Sequence, residues 1–102
     1  MKYIYLIQSL ENSYYKIGIS NNPKRRIKEL STGNPSQLKL VETYQSEYAE
    51  KIERTLQRRY SYLRKEGEWF DMGISNEVSF LNECKQIEEI LNLLEKNKDV
   101  FI

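Results

Sequence analysis

The residues available for chemistry in this chain of 102 are limited, because it contains no histidine and a single cysteine, Cys84. A Ser-His-Asp or Cys-His catalyst, a Cys/His zinc site and an internal disulfide are therefore excluded within it. Any general base must be a tyrosine, a lysine or a carboxylate. Tyr5 and Lys16 lie on neighbouring predicted strands, and a nearby ammonium would lower the phenol's pKa from about 10 and make it a better base.

Two further charged residues lie at the edges of predicted apolar helix faces. Arg25 has Glu29 four residues later as an ion-pair partner, whereas Arg26 has Leu30 at that spacing. Arg26 is therefore predicted at the sheet side of its helix, where its guanidinium either binds a phosphate or covers the core with its stem. No cation follows Glu53 at helical spacing, so its carboxylate is either exposed to solvent or binds a hard cation such as Mg²⁺.

The elements that must position these residues follow from the apolar pattern. They are, in order, strands at 3–8 and 14–19, a helix at 22–32, a turn at Asn34-Pro35, a strand at 38–44, a helix from Glu47 to Gly67, an aromatic return segment at 68–71 and a helix from about Ser75. The order β-β-α-β-α-(β)-α predicts an α+β fold, with a small three-stranded, mainly antiparallel sheet flanked by helices.

Charge is distributed unevenly along the chain. Residues 1–72 hold 13 Lys/Arg and 9 Asp/Glu, whereas residues 73–102 hold 3 and 6. The basic charge and the many aromatic residues of 1–72 favour a polyanionic partner. The basic residues that could follow a nucleic-acid backbone are Lys24, Arg25, Lys51, Arg54, Arg58 and Arg59. Neither a membrane-length apolar run nor a secretory signal is found, so a cytoplasmic protein with no membrane partner is expected.

The last predicted helix carries an apolar stripe that must be covered. Its predicted members are Val78, Leu81, Cys84, Ile87, Leu91 and Leu94, widened by Phe80 and Ile90. Two interpretations remain open: packing on the sheet face opposite Tyr5, or a homodimer through this helix. In either case we expect an acidic face to point outwards, formed by Glu77, Glu83, Glu88, Glu89 and Glu95.

The order and spacing of several short motifs resemble the GIY-YIG nuclease domain. The motifs are Tyr3-Ile4-Tyr5, then Lys16-Ile17-Gly18 after ten residues, Arg26, Ile52-Glu53 and Gly67-Glu68-Trp69-Phe70. The chain is most similar to the phage and microbial subfamily in which the second motif usually reads Lys-Ile-Gly. The resemblance covers about residues 1–72, so 73–102 is interpreted as a C-terminal helix packed on the same domain.

The resemblance implies a role for each matched residue. Tyr5 would activate the attacking water, Lys16 would take the place of the second-motif tyrosine, and Gly18 would allow close backbone approach. Arg26 would contact the scissile phosphate, and Glu53 would bind the single Mg²⁺ or Mn²⁺ ion. These are the residues that the pattern selects independently, with Trp69 as a structural residue.

The function implied is a divalent-metal-dependent endonuclease acting on DNA. A different interpretation stays open, namely a catalytically weak or inactive module that binds nucleic acid or a protein. Its motivation is the lack of any obvious separate DNA-reading domain, together with two departures from the family pattern. Ile19 stands where many members have lysine, and Gln57 stands where the subfamily often has histidine.

Overall fold

The computed structural model describes residues 2–33 and 37–97 of the chain. Its elements are β1 (Lys2–Ser9), β2 (Tyr15–Ser20), α1 (Pro23–Thr32), β3 (Leu38–Ser46), α2 (Ala49–Arg59), a single 3-10 turn (Ser61–Leu63), β4 (Trp69–Phe70) and α3 (Ile74–Lys96). The predicted α+β class and element order are confirmed. The turn predicted at Asn34-Pro35 lies outside the described residues, as does the end of the chain from 98.

The sheet has the order β3-β1-β2-β4, and its neighbouring strands are antiparallel. Tyr5 pairs with Gly18 of β2 on one side and with Thr43 of β3 on the other. The short β4 adds a fourth strand, but it pairs only with Tyr15 and Lys16. Beyond Lys16, the edge of β2 that faces away from β1 pairs with no strand among the described residues, and α2 contacts β2 instead.

The two faces of the sheet carry different helices, because side chains alternate along each strand. The main core forms where α2 and α3 cover one face, and it includes Ile4, Leu6, Tyr15, Ile17, Ile52, Leu56, Phe70, Phe80, Cys84 and Ile87. Tyr5 and Ile7 are buried on the opposite face, where α1 contacts the three long strands. The predicted site residues of β1 and β2 thus face α1.

The second helix is shorter than predicted, since it ends at Arg59 rather than at Gly67. The chain first tightens into the 3-10 turn and then becomes extended at Arg64, which bridges to Phe70. Gly67 has a positive φ of 57°, a conformation that glycine adopts without steric strain, and the chain reverses there into β4. The aromatic return segment predicted at 68–71 therefore contains β4, which pairs with β2 at the edge of the sheet.

The apolar stripe of α3 is rotated from the predicted one. Phe80, Cys84 and Ile87 are buried, at a spacing of four and three residues. Val78 and Leu94, which were predicted in the stripe, are 79% and 55% exposed, and the predicted members Leu81 and Ile90 are exposed as well. That part of the prediction is wrong, because apolar residues lie on several sides of this helix and periodicity alone did not choose among them.

Three tyrosine–glutamate hydrogen bonds explain this orientation of α3. The hydroxyls of Tyr15, Tyr44 and Tyr60 donate to Glu77, Glu88 and Glu83, respectively, the first two at 2.7 and 2.5 Å. The prediction that these three glutamates form an outward acidic face is therefore wrong. The helix packs on the sheet face opposite Tyr5, which was the first of the two interpretations.

This packing leaves the prediction of a homodimer without support, because the sheet already covers the buried stripe.

Within the described ranges, no helix combines the length and the apolar character needed to cross a bilayer.

Candidate active site

Tyr5 and Gly18 form the tightest contact of the site. The Tyr5 ring lies against the Gly18 backbone, so that a Cβ at position 18 would sit 2.3 Å from the Tyr5 hydroxyl oxygen and 2.4 Å from Cζ. Tyr5 itself is 2% exposed. Position 18 therefore has to be glycine for the phenol to occupy this place, and the close approach implied by the resemblance is made by the Tyr5 ring.

The Tyr5 hydroxyl lies in an environment that keeps its proton bound. Burial raises the pKa of this phenol, and the negative charges of Glu68 and Glu53 add to the rise. Arg26 lies beside the hydroxyl and opposes the shift, but burial outweighs it. The prediction that Lys16 lowers the pKa of Tyr5 is wrong, because the cation next to the phenol is Arg26 and the net shift is upward.

Arg26 reaches this position from the first turns of α1. That helix begins with Pro23 after Asn22, whose side-chain oxygen accepts a hydrogen bond from the Arg25 amide at 3.2 Å. Arg25 points outwards and pairs with Glu29, as its spacing predicted, with 3.6 Å between Nε and Oε1. The Arg26 guanidinium also contacts Glu29, at 3.3 Å, so the two arginines share one carboxylate and keep a net positive charge.

Lys16 is held on the same side of the sheet by two neighbours. Its side chain is only 12% exposed, and Nζ lies 2.7 Å from a carboxylate oxygen of Glu68. The ammonium also lies 5.8 Å from the centre of the Trp69 ring, within the range of a cation–π contact. Trp69, predicted as structural, thus packs directly on a site residue.

Sequence reasoning missed Glu68 as a member of the site. The sequence did contain an indication, because Glu68 belongs to the motif Gly67-Glu68-Trp69-Phe70, whose last two residues pair with β2.

Glu53 is a half-buried carboxylate without a partner. Among residues 2–33 and 37–97 it forms no hydrogen bond and no ion pair. Burial raises its pKa, with further contributions from the charges of Glu68 and Glu50, while Lys16 and Arg54 oppose the rise. The carboxylate therefore lies within electrostatic reach of Lys16 and Glu68 and keeps free oxygens for a ligand.

Gln57 fixes α2, and therefore Glu53, at the edge of the sheet. Its side-chain amide donates to the carbonyl oxygen of Ile17 at 3.0 Å, on the part of β2 that β4 leaves uncovered. This bond satisfies an edge carbonyl and ties α2 to the strand that carries Lys16 and Gly18. Gln57 lies one turn after Glu53, at the position where the subfamily often has histidine. In this protein the glutamine positions α2 through its bond to Ile17.

The donor set fits one Mg²⁺ ion bound through a single protein carboxylate. Within residues 2–33 and 37–97, no three side chains of His, Cys, Asp or Glu are grouped so that they could hold a metal together. Mg²⁺ is commonly bound through one or two carboxylates, with substrate phosphate and water completing the octahedron. An unpartnered, half-buried carboxylate such as that of Glu53 meets this description, with Glu68 as its acidic neighbour.

The predicted nucleic-acid-binding residues lie on two helices beside the site. Lys24 and Arg25 are exposed in the first turn of α1, and Arg54 and Arg58 are exposed on α2. Arg59, in contrast, pairs with Glu83 at 3.3 Å.

Near the beginning of α2 a cleft of about 650 Å³ is lined by Arg54, Lys51 and Lys2, and Lys2 is paired with Glu50 at 2.6 Å. This cleft offers charges of both signs rather than a uniformly basic surface.

Comparison with known proteins gives one finding. The T5orf172 domain matches residues 2–95, which includes nearly all of α3 as well as the region of the motifs. A search of the curated proteins and a search of the solved structures each found no match. The chain belongs to the T5orf172 domain family, a phage-associated family related to nuclease-like folds of the GIY-YIG kind.

Proposed function

We propose that this protein is a divalent-metal-dependent endonuclease that hydrolyses DNA phosphodiester bonds. The observation that carries the proposal is the arrangement around Tyr5. Arg26 lies beside its hydroxyl, the charge of Glu53 also acts on that hydroxyl, and Lys16 acts on Glu53 in turn. Four residues from four elements are therefore electrostatically connected. Membership of a family with nuclease-like relatives supports the same conclusion.

The cations of the site supply the binding of the phosphate. The side chain of Arg26 is 43% exposed, and its guanidinium can donate two hydrogen bonds to phosphoryl oxygens while it keeps its contact with Tyr5. Lys16 would exchange part of its contact with Glu68 for the same phosphate. Both charges stabilise the additional negative charge that develops on the phosphoryl oxygens as water attacks.

Tyr5 supplies the orientation of the attacking water. Its hydroxyl stays protonated at neutral pH because burial raises the pKa, so it accepts a hydrogen bond from the water and takes the proton only in its ionised fraction. As water adds to phosphorus in line with the bond that breaks, the ionised phenol takes the water's proton and afterwards returns it to solvent, while the leaving oxygen takes a proton from solvent. Cleavage should therefore become faster as the pH rises from neutral.

Glu53 would hold the metal through its unpaired carboxylate oxygens. A bound Mg²⁺ or Mn²⁺ ion would contribute positive charge near the phosphate and the leaving oxygen. The raised pKa of Glu53 means that its negative charge is poorly stabilised by the surrounding protein. A bound cation would stabilise that charge.

One observation favours a second candidate, a nucleic-acid-binding module without catalysis. Both site cations already have carboxylate partners, Arg26 with Glu29 and Lys16 with Glu68. A protein that binds a backbone through exposed residues such as Arg54 and Arg58 would need neither cation to be released. Binding of this kind would weaken with salt and would be insensitive to EDTA.

A plasmid assay separates the two candidates. Supercoiled DNA is incubated with the protein and Mg²⁺ or Mn²⁺, with EDTA as the metal-free control. The nuclease proposal predicts metal-dependent nicking that Glu53→Gln abolishes and that Glu50→Gln, an exposed neighbour on the same helix, retains. Absence of nicking, or nicking that Glu53→Gln leaves unchanged, would refute it, and salt-sensitive binding without nicking would establish the second candidate.

A further inference from the structure

A groove of about 410 Å³ opens on the face of the sheet that carries α1. Its lining includes Tyr3 from β1, Asn21 before α1, Lys24 from the first turn of α1, and Leu40 and Thr43 from β3. We call it the Tyr3 groove. Its volume lies within the range of about 300–1,000 Å³ that is usual for small-ligand sites.

The Tyr3 groove adjoins the candidate active site along three elements. Tyr3 precedes Tyr5 by two residues on β1, so the two side chains lie on one face about 7 Å apart along the strand. Thr43 is the direct cross-strand partner of Tyr5, and residues paired in this way share a face. Lys24 precedes Arg26 by two residues on α1. A ligand in the groove would therefore lie next to a phosphate held at Arg26.

The polar groups of the Tyr3 groove are available to a ligand. Within the described part of the chain, the Tyr3 hydroxyl, the Asn21 amide, the Lys24 ammonium and the Thr43 hydroxyl form no hydrogen bond or ion pair. Asn22, in contrast, is engaged as the cap of α1. The groove thus combines one partly exposed aromatic ring, two uncharged groups that can donate and accept, and one cation.

This combination matches the parts of a nucleotide. An aromatic ring offers a stacking surface to a base that has left its own stack, and amide and hydroxyl groups bind base edges. An ammonium binds the adjoining phosphate as a point charge. A free inorganic anion would use the cation alone and would gain nothing from the ring of Tyr3.

We propose that the Tyr3 groove binds one unstacked nucleotide adjacent to the phosphate at Arg26, with the base on Tyr3, its edge at Asn21 and Thr43, and its phosphate at Lys24. The proposal rests on the proposed function in taking DNA as the ligand. It adds that the protein recognises a locally unpaired strand, because stacking on Tyr3 requires a base that has left its own stack. Tyr3, the first residue of the Tyr3-Ile4-Tyr5 motif, thereby acquires a role in substrate choice.

The test measures binding rather than cleavage. Fluorescence anisotropy in EDTA compares a labelled 12-nucleotide oligo-dT strand with an abasic strand of equal length. We expect wild-type protein to prefer the strand with bases by about five-fold or more, the size of a single stacking contact. Tyr3→Ala should remove this preference, Tyr3→Phe should retain it, and Lys24→Ala should weaken binding to both strands and reduce the salt slope by about one.

Two matched variants serve as controls. Tyr62 is a tyrosine that is 78% exposed away from the groove, and Lys28 lies on α1 outside its lining, so Tyr62→Ala and Lys28→Ala should bind as wild type does. The proposal is overturned if Tyr3→Ala keeps the preference for bases, or if Tyr62→Ala loses it equally. Plasmid nicking is scored separately, so a Tyr3-dependent preference without nicking refutes only the nuclease, and nicking without that preference refutes only the groove.

Discussion

Replacing Gly18 with alanine would place a methyl group inside the space of the Tyr5 ring. The new Cβ would lie 2.3 Å from the hydroxyl oxygen, 2.4 Å from Cζ and 2.9 Å from Cε1. Ordinary carbon contacts begin at about 3.5 Å, so the rigid, buried ring has to move by about 1 Å. Overpacking of this kind costs about 1–3 kcal/mol, and the usual gain of about 0.5–1 kcal/mol for alanine over glycine in a strand offsets part of it.

The expected loss of stability in Gly18→Ala is therefore about 1–2 kcal/mol, measured as the free energy of unfolding in urea. The effect on nicking should be larger, about 100-fold, because the Tyr5 hydroxyl is displaced by about 1 Å. Gly33→Ala is the matched control, since a Cβ at that position would meet nothing within 4 Å. It should leave both quantities nearly unchanged.

A double-mutant cycle shows whether the Tyr5 ring causes the effect. In a Tyr5→Ala background the ring is gone, so adding Gly18→Ala should be neutral or stabilising because the methyl group partly fills the cavity. If Gly18→Ala lowers the free energy of unfolding equally with and without the ring, the loss does not come from a clash with Tyr5. The same conclusion follows if Gly18→Ala nicks DNA at the wild-type rate.

Three further predictions concern the contacts that hold the site and α3 in place. Gln57→Ala should lower the free energy of unfolding by about 1 kcal/mol or more and slow nicking, because the Ile17 carbonyl loses its donor, whereas Arg58→Ala should change stability by less than about 0.5 kcal/mol. Glu88→Gln should lower the free energy of unfolding in urea by about 1–3 kcal/mol, since Glu88 accepts hydrogen bonds from Tyr44 and Ser46 at 2.5 Å each. Glu89 is exposed, so Glu89→Gln should leave that free energy nearly unchanged, and equal losses in the two variants would contradict this. Burial and the neighbouring carboxylates raise the pKa values of Tyr15 and Tyr44 to about 12, so their contribution to stability should be full below about pH 10 and lost as the pH rises through 12. Urea unfolding midpoints measured between pH 9 and 12 test this, and Tyr44→Phe should lose less stability over that interval than wild type does.

The parts of the fold that depend on short-range pattern could be predicted from the sequence. Alternation in β1 and β2 placed Tyr5, Lys16 and Gly18 on one face, and helical spacing placed Arg26 towards the sheet and Arg25 outwards. These inferences need only the period of a strand or a helix and a short connection.

The parts that depend on packing between distant elements could not be predicted in this way. The partner of the Tyr5 phenol is Arg26 rather than Lys16, because α1 folds over β1 while Glu68 engages Lys16 from β4's side. The orientation of α3 depends on hydrogen bonds such as that from Tyr44 to Glu88, which are 44 residues apart. Both outcomes follow from tertiary contacts that sequence spacing does not encode.

As a nuclease, this protein would use Arg26 and Glu53 on the same phosphodiester bond. Single-turnover nicking rates of Arg26→Lys, Glu53→Asp and the double variant show whether it does, since conservative changes leave a measurable rate. We expect each single variant to slow nicking by at least about tenfold and the double variant to be slowed by clearly less than the product, as for residues that stabilise one transition state together. Losses that multiply in full, or a wild-type protein that does not nick DNA, would contradict the claim.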